Sequence, residues 1–295
     1  MNKIVFTIET ILLFCYFSGA MYKRILTIQD ISCVGQCSLT VALPILSACG
    51  LETAVLPSAI LSTHTGGFKG YFFRDLTCDM MPICEHWKKE GIRFDAFYTG
   101  YLGSARQVDL VRSILSSTGV DGAMKVVDPA MADFGKLYSG FDESFVETMK
   151  GLCCEADILL PNITEASLLT GMEFKEVYDE EYVRTLCEKL VAQGAKCIVL
   201  TGVGFRDGYT GVAIYENNEM QYYEHKKIMM GCHGTGDVYA SAFVGAVLHG
   251  KSKYEAAKIA ADYTLRCIEN TVDDKAHWYG VKFETALPEL MKMLT

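Results

Sequence analysis

Residues 230–242 read Met-Gly-Cys-His-Gly-Thr-Gly-Asp-Val-Tyr-Ala-Ser-Ala, a glycine-rich turn followed directly by a helix-forming segment. Glycines at 234 and 236 allow backbone N–H groups to converge, and a helix over 238–248 would direct its positive end toward them. Such a turn favours an anion. Asp237, however, places a negative charge in the same turn.

The two features are compatible if the anion is a phosphoryl group in transfer to an alcohol. Asp237 can then accept the proton of the alcohol while the N–H groups stabilise charge on the transferred oxygens. This predicts Asp237 as a general base and Gly234, Thr235 and Gly236 as an anion hole. The alternative is that Asp237 is an ordinary acid in the first turn of a helix.

Upstream of this turn, short β-rich runs alternate with helix-length segments, which predicts an α/β fold with helices on both faces of a mostly parallel sheet. Two later β-rich runs flank Asn217-Asn218 and predict an antiparallel hairpin at one edge of the sheet. Predicted strands cover residues 25–29, 53–56, 95–98, 124–127, 158–160, 197–200, 211–216 and 220–225. Predicted helices cover residues 39–49, 80–90, 105–117, 143–154, 180–193 and 238–248.

The composition excludes several classes of protein. With 295 residues, of which 50% are hydrophobic, the chain can bury one large core. The formal net charge is -9 and the basic residues form only short pairs, which argues against a nucleic-acid partner. The 12 cysteines include no C-x-x-C pair and lack zinc-site spacing, so we interpret them as reduced thiols.

The first twenty residues resemble a secretion signal in part. An apolar run at 11–17 precedes small residues at 18–20, but it is too short to span a bilayer, and Met21 offers a second start. We interpret residues 1–20 as an N-terminal extension outside the fold and residues 21–295 as one domain of a cytoplasmic protein without a membrane span. The alternative is an exported protein that is cleaved after residue 20.

Polar residues follow most of the predicted strands, where the ligands of parallel sheets bind. Each group alone could be a helix cap or a turn, but together they predict one site at that edge of the sheet. The groups are Gln29-Asp30, Thr63 to Gly67, Thr99 to Ser104, Asp128-Pro129, Pro161 to Glu165 and Thr201-Gly202.

Residues 234–237 resemble the anion-hole and base motif of the ribokinase superfamily, and the ordered set of polar segments is most similar to the pyridoxal kinases. The resemblance covers nearly the whole chain from Met21, including residues 28–29, 62–66, 99–104, 127–131 and 157–171. It implies a ribokinase-like three-layer fold. It also implies ATP-dependent phosphorylation of the 5′-hydroxymethyl group of pyridoxal, pyridoxine or pyridoxamine.

The same resemblance implies roles for residues on the nucleotide side. Asp128, Asn162 and Glu165 would position Mg²⁺ and the ATP phosphates, with Asp128 and Glu165 as the metal-binding pair. Thr201 and Gly202 would lie along the nucleotide. The resemblance further implies a homodimer and leaves open a monovalent cation such as K⁺.

On the substrate side, the resemblance implies that Thr65 and Tyr101 bind the pyridine ring and that residues 131–145 form a flap over the phosphates. Pyridoxal kinases usually carry serine after Ile28-Gln29, whereas this chain has Asp30. An acid at that position can accept hydrogen bonds from different ring substituents. We therefore hypothesise that Asp30 binds substrate and shifts the preference among the vitamers.

Three other functions stay open at this point. Hydroxymethylpyrimidine or a sugar could be the substrate, although an aromatic face at Tyr101 suits a flat heterocycle better than a sugar. A dinucleotide-binding oxidoreductase is disfavoured because no G-x-G-x-x-G joins the first strand to its helix. A non-catalytic vitamer carrier would bind substrate without turnover.

Overall fold

The computed structural model describes residues 22–228 and 233–295. The predicted extension at 1–20 and residues 230–232 of the glycine-rich turn lie outside these ranges. The strands, in chain order, are β1 (Arg24–Ser32), β2 (Glu52–Leu61), β3 (Phe73–Asp75), β4 (Phe94–Thr99), β5 (Gly119–Val127), β6 (Ala132–Asp133), β7 (Lys136–Leu137), β8 (Ile158–Leu159), β9 (Cys197–Val203), β10 (Tyr209–Glu216) and β11 (Glu219–Lys226).

Helices separate most of these strands. In chain order they are α1 (Leu39–Ala48), α2 (Thr77–Lys89), α3 (Ala105–Thr118), α4 (Glu143–Cys153), α5 (Ile163–Thr170), α6 (Glu180–Ala192), α7 (Thr235–Leu248), α8 (Lys253–Glu269) and α9 (Leu287–Leu294), with a short 3₁₀ helix at Phe283–Ala286. No helix within the described ranges is long and apolar enough to cross a bilayer.

Nine strands form one sheet in the order β11-β10-β9-β8-β5-β4-β1-β2-β3. The six strands from β9 to β2 pair in parallel, while β10 and β11 form the predicted antiparallel hairpin beside β9. Asn217 and Asn218 make its two-residue turn with φ of 53° and 66°, which asparagine tolerates better than most residues. The predicted sheet is therefore confirmed.

Two hydrophobic cores cover the two faces of the sheet, because side chains alternate along each strand. Phe97 of β4 faces the core formed with α2 to α6. Its neighbour Tyr98 faces the core formed with α1, α7, α8 and α9. This is the expected three-layer sandwich.

The structure departs from the sequence prediction at the other edge of the sheet. We expected the antiparallel hairpin at one edge, and in addition β3 pairs antiparallel with β2 at the other. All three residues of β3 are exposed, so no alternation of buried and exposed side chains marks it in the sequence. The small hairpin β6-β7 was likewise not predicted, since each of its strands has two residues.

Candidate active site

Helix α7 begins at the glycine-rich turn. Gly234 is its N-cap, with φ of 76°, and a side chain there would collide with the carbonyl oxygen of Gln36. Only glycine fits this position. The first N–H groups of α7, from Thr235 onward, have no partner within the helix and lie at its positive end. The residues predicted as the anion hole therefore lie at the start of a buried helix.

Asp237 lies in the first turn of α7. Burial raises the pKa of its carboxyl group to about 7, and the nearby Asp30 charge also raises it. The backbone N–H of Ser38 lies beside the Asp237 carboxylate and lowers its pKa. A carboxylate with a pKa near neutrality is well matched to general-base chemistry.

Asp30 lies at the end of β1 and is 5% exposed. Its two carboxylate oxygens accept hydrogen bonds from Ser38 Oγ at 2.5 Å and from Ser32 Oγ at 3.0 Å. Burial raises the pKa of Asp30, and the two serine hydroxyls oppose that increase. A substrate group that binds Asp30 would therefore compete with two serines.

Asp128 follows β5 and faces other acids. Burial raises its pKa well above the ordinary value, and the carboxylates of Glu165 and Asp237 raise it further. Its pKa is lowered by the backbone N–H of Ala130. The structure thus brings together Asp128, Glu165 and Asp237, which lie far apart in the chain. Such a group of acids favours bound cations or protons.

Asn162 and Glu165 form a capping box at the start of α5. Asn162 Oδ1 accepts the N–H of Glu165 at 2.9 Å, and Glu165 accepts the N–H of Asn162 at 2.9 Å. The other Glu165 oxygen accepts the N–H of Met131 at 3.1 Å, while Asn162 Nδ2 donates to the carbonyl of Ala132 at 2.8 Å. The capping alternative is confirmed, and the same side chains fix the segment after Asp128.

Glu165 is 3% exposed, and burial raises its pKa to about 7, although backbone N–H donors oppose this. Both carboxylate oxygens are already hydrogen-bonded, so Asp128 is the predicted ligand with more capacity for a cation. Within the described ranges, no three His, Cys, Asp or Glu side chains form a group that could hold a metal ion.

Thr201 and Gly202 lie in the last part of β9. The N–H of Thr201 donates to the carbonyl of Pro161 at 2.9 Å. Thr201 also forms an isolated parallel β-bridge with Asn162. Gly202 is exposed, and its carbonyl accepts the hydroxyl of Tyr178 at 3.3 Å. These residues therefore adjoin the capping box, as expected for one side of a shared site.

Tyr101 lies on the substrate side of the predicted site. Burial and the charge of Asp30 raise its pKa to about 12. Its ring stacks on Phe141, with ring centroids 5.6 Å apart, and Phe141 stacks on Phe145 at 3.9 Å. Both phenylalanines belong to the predicted flap. An aromatic face is therefore present beside Asp30.

Thr65 is exposed on the loop between β2 and β3, which the neighbouring His64 anchors. His64 Nδ1 accepts the N–H of Gly66 at 3.1 Å, so its Nε2 donates to the carbonyl of Tyr279 at 2.7 Å. The ring of His233 packs on Gly66. This loop thus contacts the residue just before the anion hole, and His64 is a hydrogen-bonded structural histidine.

Two residues near the predicted site were not identified from the sequence. Ser38 was missed because its backbone contacts Asp237, and a backbone contact leaves no residue-type signal. Tyr138 was missed inside the predicted flap. Burial and the charges of Glu165, Asp133, Asp128 and Asp237 raise the pKa of its hydroxyl. An aromatic residue between the flap glycines was the available signal.

Comparison with known proteins identifies the family. Residues 58–281 match the family model for phosphomethylpyrimidine kinase. The chain belongs to the phosphomethylpyrimidine kinase family. It is thus a kinase with the ribokinase-like fold that residues 234–237 indicated.

Relatives of this kinase family differ in substrate. A pyridoxine/pyridoxal/pyridoxamine kinase of Bordetella bronchiseptica is 26% identical over 262 residues, which are 84% of this chain and 89% of that protein. A hydroxymethylpyrimidine/phosphomethylpyrimidine kinase of Bacillus subtilis is 28% identical over 186 residues, or 62% of this chain and 66% of that protein. The relatives therefore establish a small-molecule kinase without fixing the alcohol.

Solved structures of family members superpose closely on the chain. A protein from Bacteroides thetaiotaomicron, assigned as a phosphomethylpyrimidine kinase and crystallised with pyridoxal, has 33% identity and a TM-score of 0.86, covering 92% of this chain and 96% of that one. The pyridoxal kinase of Lactobacillus plantarum has 30% identity and a TM-score of 0.86, covering 92% and 98%. Both confirm the fold expected for the kinase family.

Proposed function

We propose that this kinase transfers the γ-phosphoryl group of ATP to the 5′-hydroxymethyl group of a vitamin B6 vitamer. The observation that supports this best is Asp237, a carboxylate with a pKa of about 7 in the first turn of α7. It combines a base matched to neutral pH with N–H donors at the same helix end. The pyridoxal-bound and B6-specific relatives favour a pyridine alcohol.

In the proposed reaction, Asp237 accepts the proton of the substrate alcohol as its oxygen attacks the γ-phosphorus. The N–H groups of Thr235 and Gly236 stabilise the charge on the transferred phosphoryl oxygens, since they point from the positive end of α7. The pyridine ring stacks beside Tyr101, and Thr65 borders it from the loop after β2. Thr201 and Gly202 lie along the nucleotide.

The acids of the site fit a magnesium ion that arrives with the nucleotide. Mg²⁺ is usually held by one or two carboxylates together with phosphates and water. Asp128 therefore suffices as the principal ligand, with Glu165 as the second carboxylate. When bound, Mg²⁺ neutralises phosphate oxygens. A monovalent cation and a homodimer remain predictions from the resemblance, and the cytoplasmic location remains a prediction from the N-terminal sequence.

A second candidate substrate is hydroxymethylpyrimidine. The family match and the Bacillus subtilis relative both favour it. This alcohol is also a flat heterocycle, so the aromatic face at Tyr101 accommodates either compound. A direct comparison of substrates is therefore needed.

The deciding experiment incubates the purified protein with ATP and Mg²⁺ and compares pyridoxal, pyridoxine, pyridoxamine and hydroxymethylpyrimidine by product mass. We expect one of the three vitamers to be phosphorylated fastest. Asp237→Asn should lower kcat by roughly 10²- to 10⁴-fold, the usual contribution of a general base. Faster turnover of hydroxymethylpyrimidine would reject the vitamer assignment, and an active Asp237→Asn variant would reject the base.

A further inference from the structure

Asp30 is already engaged by the protein itself. Its carboxylate is buried and accepts Ser38 Oγ at 2.5 Å and Ser32 Oγ at 3.0 Å. Both oxygens therefore have a hydroxyl donor. This is the environment of a carboxylate that holds part of the chain in place.

Ser38 has an unusual conformation for the residue before a helix. An N-cap serine normally has an extended backbone and accepts a backbone N–H of the first turn with its side chain. Ser38 instead has φ of 55° and ψ of -133°, and its side chain makes no capping hydrogen bond to α1. A non-glycine residue keeps such a conformation only where its surroundings impose it. The hydrogen bond to Asp30 is one such constraint.

The conformation of Ser38 has a direct consequence for the catalytic turn. Its backbone N–H lies beside the carboxylate of Asp237 and lowers the pKa of that group. Gln36, two residues before Ser38, packs against both Gly234 and Gly280. The segment from Gln36 to Ser38 therefore packs against the proposed anion hole. Because Ser38 is hydrogen-bonded to Asp30, a substitution of Asp30 would shift this segment.

We propose that Asp30 is a positioning residue that orients the catalytic base through Ser38. The Asp30 carboxylate holds the Ser38 hydroxyl, which fixes the Ser38 backbone so that its N–H binds one oxygen of Asp237. The other oxygen of Asp237 is then free to face the substrate alcohol. The inference rests on the proposed function, in which Asp237 is the base. It replaces direct ring recognition as the role of Asp30.

The test compares two substitutions of Asp30. Asp30→Asn keeps an oxygen that can accept the Ser38 hydroxyl, and its amide can donate to Ser32, so kcat should stay within about threefold of wild type. Asp30→Ala removes the acceptor and should lower kcat by about 10- to 100-fold, as expected for a displaced catalytic group. The KM for the alcohol and the pyridoxal to pyridoxamine ratio of kcat/KM should change by less than about threefold in both.

Two further variants each remove one of the serine hydroxyls that donate to Asp30. Ser32→Ala removes the other hydroxyl on the same carboxylate without touching the path to Asp237, so its kcat should equal that of wild type. Ser38→Ala should lose as much kcat as Asp30→Ala. The double variant should lose no more than either single one, because the two residues act as one unit. Melting temperatures establish that each variant is folded, and if Asp30→Ala does not fold, Ser38→Ala and Asp30→Asn decide.

The outcomes separate this inference from the proposed function. A shifted vitamer ratio or a raised KM with unchanged kcat would mean that Asp30 binds substrate, and the inference would be wrong. Equal losses in Asp30→Asn and Asp30→Ala would also overturn it. If the wild type prefers hydroxymethylpyrimidine, the vitamer assignment fails. The inference about Asp30 is then tested by measuring kcat and KM of the same variants with hydroxymethylpyrimidine.

Discussion

At the scale of single residues, the predicted site is marked by buried carboxylates whose charges raise one another's pKa. Asp30, Asp128, Glu165 and Asp237 all have raised pKa values, and burial is the largest cause in each. A cluster of like charges in a buried place is unfavourable unless protons or cations compensate it. This is the arrangement expected of a site that receives a nucleotide together with a metal ion, and it makes activity dependent on pH.

We predict that kcat/KM falls as the pH drops through about 7. The pKa of Asp237 is raised to about 7, so the base is ionised above that pH and protonated below it. kcat/KM reports ionisations of the free enzyme and should decrease about tenfold per pH unit on the acid side. The titratable groups that interact electrostatically with Asp237 are Asp30, Cys37, Tyr98, Asp128 and Tyr138.

Initial rates from about pH 5.5 to about pH 8.5 would check this prediction. The residual activity of Asp237→Asn is the control, and its kcat/KM should not decrease on the acid side. A wild-type profile that is flat down to about pH 5.5 would contradict the raised pKa.

At the scale of secondary-structure elements, the site depends on how helices begin. Helices α1 and α7 start beside each other, with Ser38 next to Asp237. Helix α5 starts with a capping box whose two side chains also bind the segment that follows Asp128. The cap therefore serves both helix stability and the position of the acid predicted to hold the metal.

We predict that Asn162→Ala lowers both stability and nucleotide affinity. The loss of the cap should cost about 1 kcal/mol in the free energy of unfolding. The carbonyl of Ala132 also loses its donor, so the segment after Asp128 should shift, and the KM for ATP should rise several-fold. Urea unfolding and steady-state kinetics measure the two effects.

Ser252→Ala is the matched control, because Ser252 forms the same capping box with Glu255 at the start of α8. It should cost about 1 kcal/mol as well, with an unchanged KM for ATP. If Asn162→Ala behaves like Ser252→Ala in kinetics, the α5 cap has no role beyond helix stability.

At the scale of the whole molecule, the sheet determines which helices carry the site. Helices α1 and α7 lie on the same face and pack closely, and a side chain at Gly245 would collide with the thiol of Cys49. Ser38 precedes α1 and Asp237 lies at the start of α7. The distance between these helices therefore sets the relation between Asp237, the proposed base, and the backbone of Ser38.

We predict that Gly245→Ala pushes α7 away from α1. Overpacking of this kind should destabilise the protein by about 1–3 kcal/mol, and kcat should fall because Asp237 moves relative to Ser38. Adding Cys49→Ala should restore part of both losses, since the thiol is the nearest obstacle. Thermal unfolding and kcat of the three variants form a double-mutant cycle.

Leu186→Ala provides the comparison in the opposite helical layer. Leu186 of α6 is fully buried, so its truncation should cost about 2–5 kcal/mol without changing kcat of the folded enzyme. If it lowered kcat as Gly245→Ala does, general destabilisation rather than the α1–α7 distance would explain the loss.

The sequence by itself determined the features that depend on local periodicity and on single residue types. The alternation of apolar runs predicted the six parallel strands, Asn217-Asn218 predicted the hairpin turn, and the glycines at 234 and 236 marked the turn at which α7 begins. The pattern was sufficient because helix and strand periods and glycine conformations are local properties. The exposed strand at Phe73–Asp75 escaped prediction because it has no such period.

Only the tertiary structure decided which side chains meet. The sequence placed Asp30 at the predicted site and suggested a contact with substrate, but the fold turns its carboxylate toward Ser32 and Ser38. Likewise, the mutual approach of Asp128 and Asp237 follows from the order of strands in the sheet. Contacts between distant segments depend on how whole layers pack, which no local pattern encodes.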